Sequence, residues 1–373
     1  MALPTSSTAK RKQREVIVLS DDDNDDDVIT KQPVTKKTKA KNNDGDDLTH
    51  LLNDQSDDII AKQPVPKKAK TNDSGKDDLT HLLNDDDDDL AFHEIPTADD
   101  GASSNDTTPE APPQEGPKEF TVLSWNIDGL EDEYLMERFQ GALKDILKKL
   151  PTIVMLQEVV YEHYLNLILI LSSVYEVRSL MQNGYFNVIL FLKKSHVEII
   201  GELDGKFFPS SQMQRHYLSQ NIHIYGKNIT VMTSHLESLK ESAAERQKQL
   251  KQCFQMMTDS PCDTNFIFAG DLNMRAEDLK KIGGIPPKIT DAWETAGEDP
   301  NSKFTWDLEL NDNKKFGGNR KPRARFDRMY FKRAQSNPMQ CIGFELIGLE
   351  RLSCGMFPSD HFGILSKFIL PDD

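Results

Sequence analysis

From residue 120 onward, apolar positions recur in two alternating rhythms. The run Phe120-Thr121-Val122-Leu123-Ser124-Trp125 predicts a strand that ends at Asn126. Leu135, Phe139, Leu143, Ile146 and Leu150 follow at spacings of four, four, three and four, which is one face of a helix. Residues 153–156 predict a second strand, ending at Gln157-Glu158, and residues 188–192 a third. Residues 221–225 and 229–233 read as a hairpin around Gly226-Lys227-Asn228. Ala244, Gln247, Leu250, Phe254 and Met257 mark a second long helix; residues 265–269 then predict a strand ending at Gly270-Asp271, and residues 326–331 another. Strands that alternate with helices yet also form hairpins predict an α/β fold, a two-sheet α/β sandwich with mixed sheets.

The polar residues fall in a consistent place. Asn126 and Asp128, Glu158, His235, Asp271 and Asn273, and Asp360 and His361 each sit at the end of an apolar run. Singly, each has a plainer reading: Asn126 as a turn residue, Glu158 as a surface charge, Asp271 as a helix N-cap. Together they describe one rim of a sheet, where side chains distant in sequence converge.

Such a set suggests metal-assisted hydrolysis. Magnesium takes one or two carboxylates from a protein and completes its shell with water and phosphate, which makes Glu158 and Asp128 the candidate ligands. Asp271 is then a base or an orienting group for water, and Asn273 holds that water or a phosphoryl oxygen. His361 can donate to a non-bridging oxygen, with Asp327 in Arg325-Phe326-Asp327-Arg328 fixing its tautomer. Trp306 and Phe326 offer planar faces on which bases could stack; core packing is the alternative for both. Lys314, Lys315, Arg320, Lys321, Arg323 and Arg325 form a stretch without an acid that could clamp phosphates or be an ordinary charged loop.

The first 118 residues differ in kind. They hold 27 acidic and 15 basic side chains, leaving 34 and 30 for residues 119–373, so most of the net charge of −16 belongs to this segment. A histone-like basic coat is thereby excluded. The segment repeats itself at an offset of 31 residues, DDLTHLLND at 46–54 returning at 77–85. Two copies with one short apolar patch each cannot bury a continuous core, so a disordered acidic N-terminal tail is expected over residues 1–118 and a catalytic domain over 119–373. Val16-Ile17-Val18-Leu19, followed by Ser20 and the acidic block 21–27, is suited to adding as a strand to a partner's sheet edge and resembles a SUMO-interacting motif. Basic clusters at 10–14, 36–39 and 66–70 resemble nuclear-import signals, which places the protein in the nucleus, with a cytoplasmic pool allowed. The start lacks an apolar signal region, the longest apolar run is too short for a bilayer, and the four cysteines lack zinc spacing. These features predict a soluble monomer with reduced, mostly buried thiols and no membrane association.

Five motifs carry a family resemblance: Trp125-Asn126, Leu156-Gln157-Glu158-Val159, Thr233-Ser234-His235-Leu236-Glu237-Ser238, Gly270-Asp271-Leu272-Asn273 and Ser359-Asp360-His361. In that order they resemble the endonuclease/exonuclease/phosphatase superfamily, whose fold is DNase I-like. Within it, Asn126-Ile127-Asp128-Gly129-Leu130, Asn273-Met274-Arg275, Phe304-Thr305-Trp306-Asp307 and Phe357-Pro358-Ser359-Asp360-His361 are similar to the 5′-tyrosyl-DNA phosphodiesterases. The resemblance implies hydrolysis of the bond between a trapped topoisomerase tyrosine, mainly that of topoisomerase II, and a 5′-phosphate of DNA. It implies Mg2+, or Mn2+ in its place, at Glu158 and Asp128, with Asp271 as acid/base and His361 on the phosphate. Asn126, His235, Ser238, Asn273 and Arg275 would line the single-stranded 5′ end, and Tyr185, Trp306 and Phe326 its path. The competing readings are a nuclease or phosphatase of the same fold acting on another phosphodiester, and a SUMO-binding adaptor.

Overall fold

The computed structural model describes residues 17–19, 29–31, 118–181, 184–315 and 320–372. Val16, the import-like clusters and both copies of the repeat lie outside the described residues. Ile17–Leu19 (β1) pairs antiparallel with Ile29–Lys31 (β2), Val18 opposite Thr30. Residues 17–19 are therefore extended, with a strand of the same chain as partner.

From Lys118 the chain builds two six-stranded sheets. The first is formed by β3 (Lys118–Asn126), β4 (Ile153–Val160), β5 (Tyr175–Arg178), β6 (Tyr185–Leu192), β15 (Gln340–Ile347) and β16 (Gly363–Leu370), in the order β15-β16-β3-β4-β6-β5. The second has β7 (Val197–Phe207), β8 (His216–Ile224), β9 (Lys227–Ser234), β10 (Asn265–Asp271), β11 (Ile289–Asp291) and β14 (Asp327–Lys332), in the order β11-β14-β10-β9-β8-β7. A small ladder joins β12 (Trp306–Asp307) to β13 (Arg323–Ala324). The helices are α1 (Leu135–Lys149), α2 (Tyr161–Leu171), α3 (Ala243–Asp259) and two short ones, α4 (Ala276–Lys281) and α5 (Ala292–Thr295). The predicted mixed-sheet sandwich is the fold observed.

Alternation along the strands builds three packed layers. Val122, Ile153, Met155 and Ile189 of the first sheet meet Leu218, Val231, Ile267 and Met329 of the second. Their neighbours Leu123, Val154, Leu156 and Val188 point the other way, against Phe139, Leu143 and Ile146 of α1. Met232, Phe266 and Phe268 likewise cover Leu250, Phe254 and Met257 of α3. Both faces of the central strands are buried, which is why these strands read as near-continuous apolar runs.

Strand direction places the site. β3 and β4 are parallel neighbours linked by α1, and β9 and β10 are parallel neighbours linked by α3. The carboxyl ends of such strands are where open α/β sheets collect ligand-binding side chains. β14 and β16 run antiparallel to β10 and β3, so each starts where its neighbour stops.

Two local expectations shift. The β8–β9 hairpin turns on Tyr225-Gly226, with φ of 50° and 74°, and Ile224 faces Lys227. A two-residue turn with both φ positive matches the twist of its strands better than one centred on Lys227. Helix α2 was not predicted: its buried residues His163, Leu167 and Leu171 follow a helical spacing, but Leu165 and Leu169 are apolar and exposed, which hides the period. Cys253 and Cys341 are buried, whereas Cys262 is exposed and Cys354 half-buried. Among the described residues no helix is long and apolar enough to cross a membrane.

Candidate active site

The strand-end residues converge at one rim. Asn126 closes β3, Glu158 lies two residues before the end of β4, His235 follows β9, and Asp271 closes β10. Asp327 opens β14 directly opposite Asp271, and His361 stands just before β16.

The rim is tight, and glycine makes it so at two places. A Cβ on Gly270 would lie 1.9 Å from the Ser234 carbonyl oxygen, and one on Gly129 would lie 2.2 Å from the Glu158 carbonyl oxygen. Asp128, Glu158 and Asn273 take left-handed backbone conformations, with φ of 49°, 55° and 50°. For Glu158 this coincides with a register shift in the β4–β6 ladder between Leu156 and Val159. Left-handed backbone at side-chain-bearing residues is costly and is held only where the surroundings enforce it, a feature concentrated at functional sites.

Asp271 is the hub. Its Oδ2 accepts from Asn126 Nδ2 at 3.0 Å and lies 3.2 Å from His235 Nε2 and 3.8 Å from His361 Nε2. Its Oδ1 accepts from the Asn273 backbone N–H at 3.0 Å. Burial would push the Asp271 carboxyl up, but His235, His361 and the bonds from His235 and Asn126 outweigh it and hold the group well below the usual carboxylate range. His235 bridges onward, its Nδ1 3.6 Å from Glu158 Oε1.

His361 is held from three sides. Nδ1 lies 2.7 Å from Asp327 Oδ2, Trp125 Nε1 donates to the His361 carbonyl at 2.9 Å, and its own N–H donates to Ser359 Oγ at 3.1 Å. Ser359 Oγ in turn donates to the Asn126 carbonyl at 2.6 Å. Burial disfavours the imidazolium, yet Asp327, then Asp271 and Asp360, raise His361 well above the ordinary histidine value.

Next to this hub is a second carboxylate group. Asp128 is buried with Arg138 Nη1 at 3.2 Å and Lys314 Nζ at 3.1 Å. Burial first, then Asp360 and to a lesser degree Glu158, push Asp128 up to about 8 against the opposing Lys314 and Arg138 charges. A buried carboxyl that resists ionising beside Asp360 and Glu158 belongs to a donor set a hard divalent cation fits, because the ion supplies the missing positive charge. Both Asp128 oxygens are already engaged, so Glu158 is the more open donor. Asp271, Asp327 and His361 also bring one ligand atom each within 4.8 Å of one another. There the His361 to Asp327 distance is that of a hydrogen bond.

The remaining predicted residues border this centre. Tyr185 lies with its ring 6.1 Å from that of His235 and beneath the Arg215 guanidinium at 5.1 Å. Ser238 Oγ is 3.4 Å from Arg215 Nη2. Arg275 stacks on Phe326 at 5.7 Å, and Phe326 lies 6.4 Å from the His361 ring. Trp306 and Phe326 are each only 5% exposed, in a small cluster with Leu308, and Trp306 Nε1 donates to Asp360 Oδ2 at 3.3 Å. Their faces are thus largely used in packing. The basic stretch divides as well: Lys314 is spent on Asp128 and Glu131, Arg323 on Asp307, and Arg325 on Asp291, while Lys315, Arg320 and Lys321 are exposed.

Residues unnoticed in the sequence also shape the site. Fully buried Arg246 donates to the carbonyls of Glu237 and Leu239 and pairs with Asp278, tying the loop after His235 to the helix after Arg275. Arg138, buried on α1, holds Asp128 and the carbonyls of Asp128 and Glu131. Both occupy an otherwise apolar helix face, and a charge at a core-facing helical position was the available signal.

No protein-family model matches the chain. It is 40% identical over 262 residues to tyrosyl-DNA phosphodiesterase 2 of Rattus norvegicus, covering 70% of this chain and 69% of that protein. Among solved structures it is similar to D. rerio TDP2 complexed with single strand DNA product, with a TM-score of 0.64 and 34% identity over 67% of this chain and 98% of that one. An endonuclease/exonuclease/phosphatase family protein from Bacteroides thetaiotaomicron, 14% identical with a TM-score of 0.52 over 68% of this chain and 99% of that one, shares the fold. With a relative of this identity matched along two thirds of both chains, and a rim that assembles every strand-end residue named above, the chain belongs to the tyrosyl-DNA phosphodiesterase 2 family.

Proposed function

We propose that the chain hydrolyses the phosphodiester between a tyrosine and the 5′ end of DNA, leaving a 5′-phosphate that can be ligated in DNA repair. The observation that carries this reading is the hub at Asp271, with Asn126, His235 and His361 arranged around one carboxylate. Asp271 and Asn126 hold the attacking water, and Asp271 receives or directs its proton. The water oxygen bonds to phosphorus as the bond to the tyrosine oxygen breaks. A phenol has a pKa of about 10, so phenolate leaves with little acid help, which frees His361 to serve the phosphoryl oxygen. His361, kept cationic by Asp327, donates from Nε2 to a non-bridging oxygen as charge builds there. Glu158 and Asp128 would hold Mg2+, or Mn2+ in its place, which when bound polarises the phosphoryl group as a Lewis acid.

Asn273, His235, Ser238 and Arg275 line the 5′-phosphate and first nucleotide, and Tyr185, Trp306 and Phe326 shape the single-stranded path. The adduct is the tyrosyl remnant of topoisomerase II. Residues 1–118 act as the recruiting tail, with residues 16–19 binding SUMO and the basic clusters directing the chain to the nucleus, where it works as a monomer. The test is a substrate panel. Release of tyrosine from a 5′-tyrosyl oligonucleotide should far outpace cleavage of abasic DNA or of an inositol phosphate; equal rates would remove the assignment.

A further inference from the structure

Beside the catalytic rim is a pocket of about 310 Å³ whose cations, Arg275 apart, have no part in the catalytic roles above. Arg275, Lys303, Arg323, Arg325 and Arg328 line it, and no carboxylate does. We infer that it is a subsite for a DNA phosphodiester further along the strand whose 5′ end lies at Asp271 and His361. The inference rests on the phosphodiesterase reading above.

Three observations carry it. First, the cations are held in place by rings: Arg325 lies 4.5 Å from the Trp293 centroid, and Arg323 and Lys303 lie 4.4 and 5.1 Å from that of Phe304. Stacking fixes these cations beside the pocket, where their charge acts on a phosphate, and ring and guanidinium planes both accept a base. Second, two of the carboxylates that balance these charges sit behind the wall, while exposed Glu309 on Arg323 and Glu294 near Arg325 stand outside the pocket lining. Asp291 beneath Arg325 and Asp307 beneath Arg323 are buried, so they fix the guanidinium groups without occupying the pocket. Burial and the Arg328 charge lower the Arg325 pKa, a crowding of cations that an anion would relieve. Third, the pocket continues from the site. Arg275 is two residues beyond Asn273 and stacks on Phe326, the residue before Asp327. A strand leaving the rim past Phe326 meets this pocket next.

Lys303 tests the inference, because it is exposed and belongs to no catalytic contact. Lys303→Ala and Lys303→Glu would be compared with the unaltered chain in two assays. One is anisotropy of a 3′-labelled, 5′-phosphorylated oligonucleotide, single-stranded or as a blunt duplex, across a salt series; the other is turnover of the p-nitrophenyl ester of thymidine 5′-phosphate. The alanine variant should bind the single strand severalfold more weakly, with the slope of log affinity against log salt reduced by about 1, and the glutamate variant more weakly still. Turnover of the nitrophenyl ester should not change. Unchanged single-strand affinity in both variants overturns the subsite, as does an effect confined to the duplex, which would place the phosphate on the complementary strand. An unaltered chain that fails to release nitrophenol counts against the phosphodiesterase reading, while the anisotropy still decides the pocket.

Discussion

Nδ1 of His361 lies 2.7 Å from Oδ2 of Asp327, with both residues buried. One nitrogen of the ring is thereby committed to a carboxylate and the other is left facing Asp271. The pair fixes the tautomer and supports the positive charge together. Asp327→Asn should therefore slow single-turnover tyrosine release by on the order of 10² to 10⁴-fold, without preventing folding. A loss below tenfold would show that His361 needs no such partner.

The raised Asp128 predicts a pH dependence with a definite sign. Its folded value, about 8, exceeds the unfolded 3.8, so between those limits the folded state keeps a proton that the unfolded state gives up. Without a divalent ion this contribution to stability is lost as pH rises through that window. Binding of a cation requires the carboxylate, so apparent Mg2+ affinity should fall as pH drops below about 8, and binding at pH 7 should release protons. Calorimetric titration in two buffers of different ionisation enthalpy measures the number released. Zero protons would contradict Asp128 as part of the metal site.

Gly270 of β10 lies against Ser234, the last residue of β9, and Gly270→Ala would set a methyl group against the Ser234 carbonyl at 1.9 Å. Backbone must shift, at a cost of about 1–3 kcal/mol or more. At about 2–4 °C per kcal/mol for a domain of this size, the thermal midpoint should drop by several degrees. Activity should fall further than stability alone explains, because Asp271 is the next residue.

Arg246 is buried with all its hydrogen bonds made within the protein. Arg246→Met leaves Asp278 buried without its arginine, and about 3–5 kcal/mol of stability should be lost. Denaturant unfolding reads that loss. Because Arg246 ties residues 237–239 to α4, KM for an oligonucleotide should rise more than kcat falls.

Much of the site could be read from the chain because strand ends are visible in the hydrophobic pattern. Asn126, Glu158, Asp271 and His361 each terminate or precede an apolar run, and parallel neighbours bring such ends to one edge. What the pattern hid depends on tertiary burial. Arg246 and Arg138 are charges on core-facing helix positions, and which carbonyls and acids they hold is set only by the folded structure. Trp306 stands among polar neighbours in sequence yet packs with Phe326 and Leu308, and Lys314 turns from a presumed phosphate clamp into an internal partner of Asp128. Helix α2 escaped notice because its exposed face is as apolar as its buried one.

The most direct measurement is release of tyrosine from a 5′-tyrosyl oligonucleotide by the unaltered chain, by Asp271→Asn and by Glu158→Gln, with Mg2+ present and after its removal by chelation. The account predicts turnover only for the unaltered chain with Mg2+, with all three proteins folded; undiminished release by either variant, or release that survives chelation, would contradict it.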